Sequence, residues 1–358
     1  MRGPDGRPAG GSKLPVVPAV SVCIPTYNYA RFLPRAIESV LAQTFRDFEL
    51  IVVDDASSDH TPEVLRRFAD PRLRVFQNSV NLGLFPNFSY CLTLAKAPLI
   101  KFLCADDWLD PRYLEQATAV LRDHPQVGFV TSAGYLVDEA GRVYGRFSAG
   151  FADRPVVPAL TAIEAQARFL NVIGMPSNVL LRRHAVDAVG GFDNRFTPAA
   201  DVHLWLKLLC RYDLGWLPDP LCFMRMHSSK SHSYGAKPSE STFLSWKDVA
   251  GQPGSRIGSE TLDIAMYAEA ERSLLHVGAL VAAGKLRSVV DILRFTARHV
   301  SWSRVLPRFA WRLPALLWAQ IRRVHAVRSR RIVIYGRTLR TGGPLAAEDR
   351  PGPAARCR

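Results

Sequence analysis

The stretch Lys101-Phe102-Leu103-Cys104-Ala105-Asp106-Asp107-Trp108-Leu109-Asp110-Pro111 decides how this chain is read. A short apolar run stops abruptly at two adjacent carboxylates, and a third acid and a proline follow. Two acids at the mouth of a buried strand repel each other and resist desolvation, so they call for a positive partner. A divalent cation carrying a diphosphate supplies one. The same design stands earlier, at Leu50-Ile51-Val52-Val53-Asp54-Asp55-Ala56-Ser57. Two strands that each deliver a carboxylate pair to one sheet edge point to a nucleoside-diphosphate site.

Working outward, Val20 to Ile24 reads as a buried strand ended by Pro25. Leu33, Ile37, Val40 and Leu41 have the spacing of an amphipathic helix. Strands are expected near Glu49–Val53, Leu73–Phe76 and Leu99–Leu103, with helices near Phe88–Ala95 and from Pro111 to about Asp123. Thr61 is the expected N-cap of a helix opened by Pro62. Such alternation predicts an α/β fold, a Rossmann-like, mostly parallel sheet with helices on both faces. Ligands of such sheets bind at the carboxyl ends of the strands, where Pro25-Thr26-Tyr27-Asn28, Asp54-Asp55 and Asp106-Asp107 all fall. Beyond Val127 the alternation weakens, with a helix expected over Thr161–Asn171, strands at Asn178–Leu181 and Leu221–His227, and an apolar helical stripe after Asp201.

The 358 residues leave room for one large α/β domain and an appendage. The formal charge of +14 is unevenly placed: from Lys285 onward 17 Lys+Arg face 3 Asp+Glu, so the first 284 residues balance at zero. None of the six cysteines forms a CxxC pair, which suits reduced thiols in a cytoplasmic protein. Residues 1–18, rich in Gly, Pro and Arg, read as a disordered leader, 19–230 as the catalytic domain and 231–258 as a mobile loop or linker. Residues 259–340 read as a basic helical region and 341–358 as a disordered tail.

Five fragments occur in a telling order: Val20-Ser-Val-Cys-Ile-Pro-Thr-Tyr-Asn28, Ser39-Val-Leu-Ala-Gln-Thr44, Phe48-Glu-Leu-Ile-Val-Val-Asp-Asp-Ala-Ser57, Asn81-Leu-Gly83 and Ala105-Asp-Asp107. Together they resemble the family 2 glycosyltransferases, over roughly residues 19–230. The resemblance implies the A-type glycosyltransferase fold. It also implies inverting transfer of a sugar from a nucleotide-diphosphate donor, with Mg2+ or Mn2+ as cofactor and uridine as the first base to test. By the same resemblance Pro25, Thr26, Tyr27 and Asn28 form the loop against base and ribose. Asp55 binds the base with Asp54 beside it, and Asn81 and Gly83 flank the nucleotide. Asp106 meets the ribose, Asp107 ligates the metal, Asp201 is the catalytic base, and His227 stands near the metal. Many relatives carry Glu-Asp where this chain has Ala200-Asp201, and an acid in place of His203, which bears on acceptor recognition.

Each residue has a plainer reading as well. Asp54 and Asp55 could cap a turn, Asp106-Asp107 could sit in an exposed loop, and Asp201 could be a helix N-cap. His227 could be structural, Asn81-Leu82-Gly83 merely a turn, and Tyr27 a packing residue. A sugar nucleotidyltransferase is a competing function, but such enzymes need a Gly-rich basic loop after the first strand, and Pro25-Thr26-Tyr27-Asn28 is not one. A non-catalytic membrane-associated sugar-nucleotide-binding protein is a third.

Between Lys285 and Arg340, 14 Lys+Arg accompany one acid, Asp291, with Trp302, Trp311 and Trp318 among them. Cationic, Trp-rich segments favour an anionic membrane surface. The expected setting is the cytoplasmic face of the plasma membrane, with a glycan or lipid-linked acceptor, in cell-wall or surface-polysaccharide assembly. A solvated face or protein-binding tail is the alternative. No recognition motif for nucleic acid accompanies the charge.

Overall fold

A computed structural model describes residues 17–151, 154–169, 171–226, 236–282, 286–300 and 333–335. In chain order its elements begin β1 (Val20–Thr26), α1 (Leu33–Leu41), β2 (Phe48–Asp54), α2 (Thr61–Leu65), β3 (Leu73–Gln77), α3 (Leu84–Leu94) and β4 (Leu99–Phe102). They continue with β5 (Trp108–Leu109), α4 (Tyr113–Asp123), β6 (Val127–Val137), β7 (Val143–Phe147), β8 (Val156–Val157), α5 (Ala159–Phe169), β9 (Val179–Arg182) and α6 (Arg183–Ala188). The last are α7 (Ala200–Leu209), β10 (Asp213–Arg225), α8 (Ala236–Ala250), α9 (Ser259–Ala282), α10 (Leu286–His299) and β11 (Val333–Tyr335).

β1 is the central strand, paired in parallel with β2 on one side and β4 on the other. All seven of its residues are buried, as expected for a strand covered on both faces. Its two-residue period divides the core into two layers. Val20, Val22 and Ile24 pack with Leu33, Ile37 and Val40 of α1. Cys23, pointing the other way, packs with Phe88 and Cys91 of α3. β2 repeats the pattern, Leu50 and Val52 against Ile51 and Val53.

The sheet runs β11-β7-β6-β9-β4-β1-β2-β3. β4, β1, β2 and β3 are parallel, whereas β9 enters antiparallel between β4 and β6. β10 is parallel to β6 and also borders β5 and β8. The sheet is therefore mixed outside its first four strands. Pro25 does not end β1, which continues through Thr26 in register with Asp54. Thr61 is the first residue of α2 and not its cap; Asp59 Oδ1 accepts from both the Thr61 N–H and its hydroxyl.

The mobile loop expected over 231–258 is corrected in part: Ala236–Ala250 is a helix. Phe243, Trp246 and Val249, spaced at helical intervals, are buried in the same core as α7. Three consecutive helices, α7, α8 and α9, pack against one another, and α9 also packs on α5. Most of the basic segment 285–340, the leader and His227 lie outside the described residues.

One charged group is fully buried within the sheet. Lys101, mid-strand in β4, donates its Nζ to the carbonyls of Ser177 and Val179 and lies 3.9 Å from the Tyr113 ring centre. Burial lowers its pKa to about 7, against the opposing pull of nearby groups that include Asp107.

Candidate active site

The carboxyl ends of β1, β2 and β4 open into a cavity of about 570 Å3. Pro25, Thr26 and Tyr27 line it from β1 and its loop, Asp55 from beyond β2, Asn81 and Gly83 from the turn before α3, and Asp106 from beyond β4. Asp201 and Val202 line it from α7. Three acids separated by 51 and 95 positions thus share one cavity.

Asp55 has a definite task within the protein. Its Oδ1 accepts from Asn78 Nδ2 at 2.7 Å and from the Leu82 N–H at 2.9 Å, and its Oδ2 accepts from the Gly83 N–H at 2.9 Å. The carboxylate therefore fixes the 78–83 turn, where Gly83 adopts a φ of +92°, a value that glycine tolerates and other residues resist. Asp54 is buried and serves as a turn cap, accepting from the Ser57 N–H and from Gln77 Nε2. Asn28 is likewise structural. Its side-chain oxygen accepts from the Ser58 N–H at 2.8 Å, tying the β1 loop to the β2 loop. Asn28 and Ala56 both have left-handed backbones, at φ 56° and 59°, a conformation that Asn accepts readily and Ala at some cost. Neither Asn28 nor Asp54 lines the cavity. Tyr27 does, with 43% of its surface exposed at the rim. The Thr26 hydroxyl is buried and has no hydrogen-bond partner among the described residues.

The second acid pair divides its work. Asp106 faces the cavity, while Asp107 stands behind it. Asp107 Oδ2 accepts from Ser177 Oγ at 2.6 Å and its Oδ1 from the Arg225 N–H at 2.8 Å. The Arg225 guanidinium donates to the carbonyls of Asp106, Asp138 and Glu139 and stacks over Phe32, 4.5 Å from the ring centre. Cys104, half-buried on the cavity wall, completes the group: ligand atoms of Cys104, Asp106 and Asp107 all lie within 4.8 Å of one another. Two carboxylates suit a hard divalent cation such as Mg2+ or Mn2+, and the thiol adds a softer donor. The donor types of the set fit a cation, with Asp106 the carboxylate nearest the cavity.

Asp201 is not the N-cap of α7. Ala199 holds that position without a side-chain bond, and Asp201 sits in the first turn, accepting from the Val202 N–H at 2.8 Å. Desolvation in its recess raises its pKa from 3.8 to about 6, against the pull of the neighbouring backbone N–H groups. A carboxyl tuned to that range changes protonation close to neutral pH, as a general base should. His203, two residues along, is buried, stacks on Phe196 and bonds Asp248 Oδ2 of α8 at 2.9 Å.

Sequence reasoning missed Cys104 and the cavity residues supplied by α8 and α9, namely Thr242, Trp246, Glu269 and Arg272. Cys104 was findable from its place two residues before Asp106. The others carry no local motif.

Comparison with known proteins follows from this geometry. The sequence profile described as glycosyl transferase family 2 matches residues 21–190. An uncharacterised Mycobacterium tuberculosis protein is 32% identical over 61% of this chain and 70% of its own length. The chain belongs to glycosyl transferase family 2. An uncharacterised glycosyltransferase of Rickettsia typhi is 27% identical over 60% of the chain and 66% of its own length. Among solved structures, the Pyrobaculum calidifontis mannosyltransferase PcManGT, in complex with GDP-Man and Mn2+, superposes with a TM-score of 0.55 at 19% identity, covering 87% of each chain. S. aureus TarS 1–349 with UDP-GlcNAc gives 0.54 at 17% identity, covering 78% of this chain and 90% of that one. These likenesses establish the fold, the A-type glycosyltransferase fold expected from the sequence. Membership of glycosyl transferase family 2 makes this chain a transferase, and within that class a glycosyltransferase. No helix among the described residues is long and apolar enough to cross a membrane.

Proposed function

We propose that this family 2 member transfers a sugar from a nucleoside-diphosphate donor to an acceptor hydroxyl with inversion, Asp201 serving as general base. The observation that carries the reading is the convergence of Asp55, Asp106 and Asp201 on one cavity. The base and ribose would occupy the end formed by Pro25, Thr26, Tyr27, Asn81 and Gly83, where the unpartnered Thr26 hydroxyl can bond to the ligand. Uridine is the first base to test.

Charge supports a metal requirement. Among the described residues, the charged ones lining the cavity are four acids, Asp55, Asp106, Asp201 and Glu269, and one cation, Arg272. A diphosphate entering so acidic a space is repelled unless a cation accompanies it. Asp106 with Cys104, backed by Asp107, would hold Mg2+ or Mn2+, which when bound supplies electrostatic stabilisation of the departing diphosphate. The sequence-based assignment of direct ligation to Asp107 thus passes to Asp106, because Asp107 is engaged by Ser177 and the Arg225 backbone. Asp54 and Asn28 would act by shaping the loops. His227 remains a proposed neighbour of the metal, carried by the resemblance alone.

Asp201 takes the proton of the incoming hydroxyl as the bond to the anomeric carbon forms, a contribution of roughly 10²–10⁴-fold. One displacement inverts the centre, so no enzyme nucleophile is required. The test is a panel of nucleotide-sugars incubated with Mn2+ or with chelator, read as released nucleoside diphosphate. Release that needs the metal and vanishes in Asp201→Asn supports the reading; release indifferent to both refutes it.

We also infer peripheral attachment to an anionic membrane, with a membrane-proximal acceptor and a role in surface-glycan assembly. On α10, Val290 and Leu293 are exposed beside exposed Arg294 and Arg298, the composition of an interfacial helix. Flotation with vesicles containing phosphatidylglycerol, and none with phosphatidylcholine alone, is the expected outcome.

A further inference from the structure

Four residues of the cavity wall come from α8 and α9, beyond the 21–190 segment that the family profile matches. Two of them, Glu269 and Arg272, are one helical turn apart on α9 and form an ion pair. Glu269 is buried, at 1% side-chain exposure, whereas Arg272 is one-third exposed. The pair therefore presents its guanidinium towards open space with its acid anchored behind. Burying a carboxylate so fully is costly unless it is paired, and the guanidinium that pairs with it also reaches the cavity.

The place of this pair in the wall follows from the packing. Asp201 stands at the start of α7; α7 packs on α8, which supplies Thr242 and Trp246; α8 packs on α9. Glu269 and Arg272 thus belong to the helical wall that carries Asp201, and the strand-end loops with Asp55 and Gly83 form the other part of the lining. A base that deprotonates an incoming hydroxyl sits on the acceptor's side of the reacting centre, so this helical wall meets the acceptor.

We propose that Arg272, held in place by Glu269, determines acceptor specificity by binding hydroxyls of a neutral, polyhydroxylated acceptor beside the one that Asp201 deprotonates. This rests on the transferase reading above. The guanidinium offers a hydroxyl N–H donors in a fixed fork. Adjacent hydroxyls match that fork in geometry. Neutrality follows from charge: Glu269 already compensates Arg272, and the other charged lining residues among those described are acids that repel an anionic acceptor.

The experiment uses the full chain with Mn2+, UDP-GlcNAc and GDP-Man as donors, and methyl glycosides with their phosphorylated counterparts as acceptors. The Kd of UDP and GDP is measured in parallel by calorimetry. Arg272→Ala is expected to raise the KM for the neutral glycoside used by the wild type about tenfold or more, the loss of a charge-assisted hydrogen bond. The nucleotide Kd should stay within about twofold. Arg272→Lys, which keeps the charge and loses the fork, should recover part of the KM but not all. A KM that stays unchanged, or a nucleotide Kd that weakens as much as the KM rises, overturns the proposal. So does a wild type that prefers phosphorylated acceptors. A wild type that binds neither donor nor nucleotide fails the transferase reading itself, and is told apart because it needs no variant to be seen.

Discussion

Replacing Asp201 by asparagine should stabilise the fold at neutral pH while abolishing transfer, and the size of the gain can be worked from the recess around it. Burial raises the folded-state pKa from 3.8 to about 6. At about 1.4 kcal/mol per tenfold in proton affinity, that corresponds to about 3 kcal/mol. The recess opens onto the cavity, so solvent screening reduces the usable part to about 1–2 kcal/mol. Asparagine keeps an oxygen that can accept from the Val202 N–H, so the bond now made at 2.8 Å is retained. Because the folded state holds the proton more tightly than the unfolded chain, the native carboxyl favours folding below 3.8, and that contribution is lost as pH rises through about 6. The melting temperature of Asp201→Asn should therefore match the wild type near pH 4 and exceed it by a few degrees at pH 7.5. Differential scanning calorimetry across that range measures the difference. A gain independent of pH, or a loss at every pH, would refute the assignment of a desolvated carboxyl at this site.

Three further outcomes follow from the same geometry. For the wild type, kcat/KM should fall about tenfold per pH unit below about 6, as Asp201 becomes protonated and stops acting as a base; a flat profile from pH 5 to 8 would exclude it from the proton transfer. Asp55→Ala removes the acceptor of the Leu82 and Gly83 N–H groups and one of two acceptors of Asn78 Nδ2, Asn87 Oδ1 being the other. These residues are partly or well exposed, so at about 1 kcal/mol for each hydrogen bond lost the urea midpoint should drop with little change in m-value. Asp106→Asn should weaken Mn2+-dependent nucleotide binding more than Asp107→Asn does. Asp107→Asn should lower the melting temperature through Ser177 and the Arg225 N–H. Calorimetric titration and melting curves of the two variants test the division, and the reverse pattern would return the metal to Asp107.

The parallel core was legible because its signals are local. Buried strands such as Val20–Thr26 are mostly apolar, and an acid pair stands at the end of β2 and just beyond β4. The cavity residues at these ends, Thr26, Asp55 and Asp106, could be named from the chain for the same reason. β9 could not be placed from its sequence: Val179–Arg182 reads as any short apolar strand, and only pairing with both β4 and β6 makes it antiparallel. Residues 231–258 misled by composition, since Ser and Gly around Phe243, Trp246 and Val249 masked a helical spacing of large side chains. Which of Asp106 and Asp107 faces outward depends on Ser177 and Arg225, 70 and 118 positions away. No neighbouring pattern encodes contacts at that range.

Ser177 ties the cavity floor to the acid pair. Its hydroxyl donates to Asp107 and accepts from the Cys104 N–H, its carbonyl receives Lys101 Nζ, and the adjoining Met175 and Pro176 form part of the cavity lining. A short turn of chain is thereby clamped to the group meant to hold the ion. Were an ion bound there, a molecule pressing on that floor would act on the ion's ligands, and by reciprocity a tightened ion site would reshape the floor on which the molecule rests.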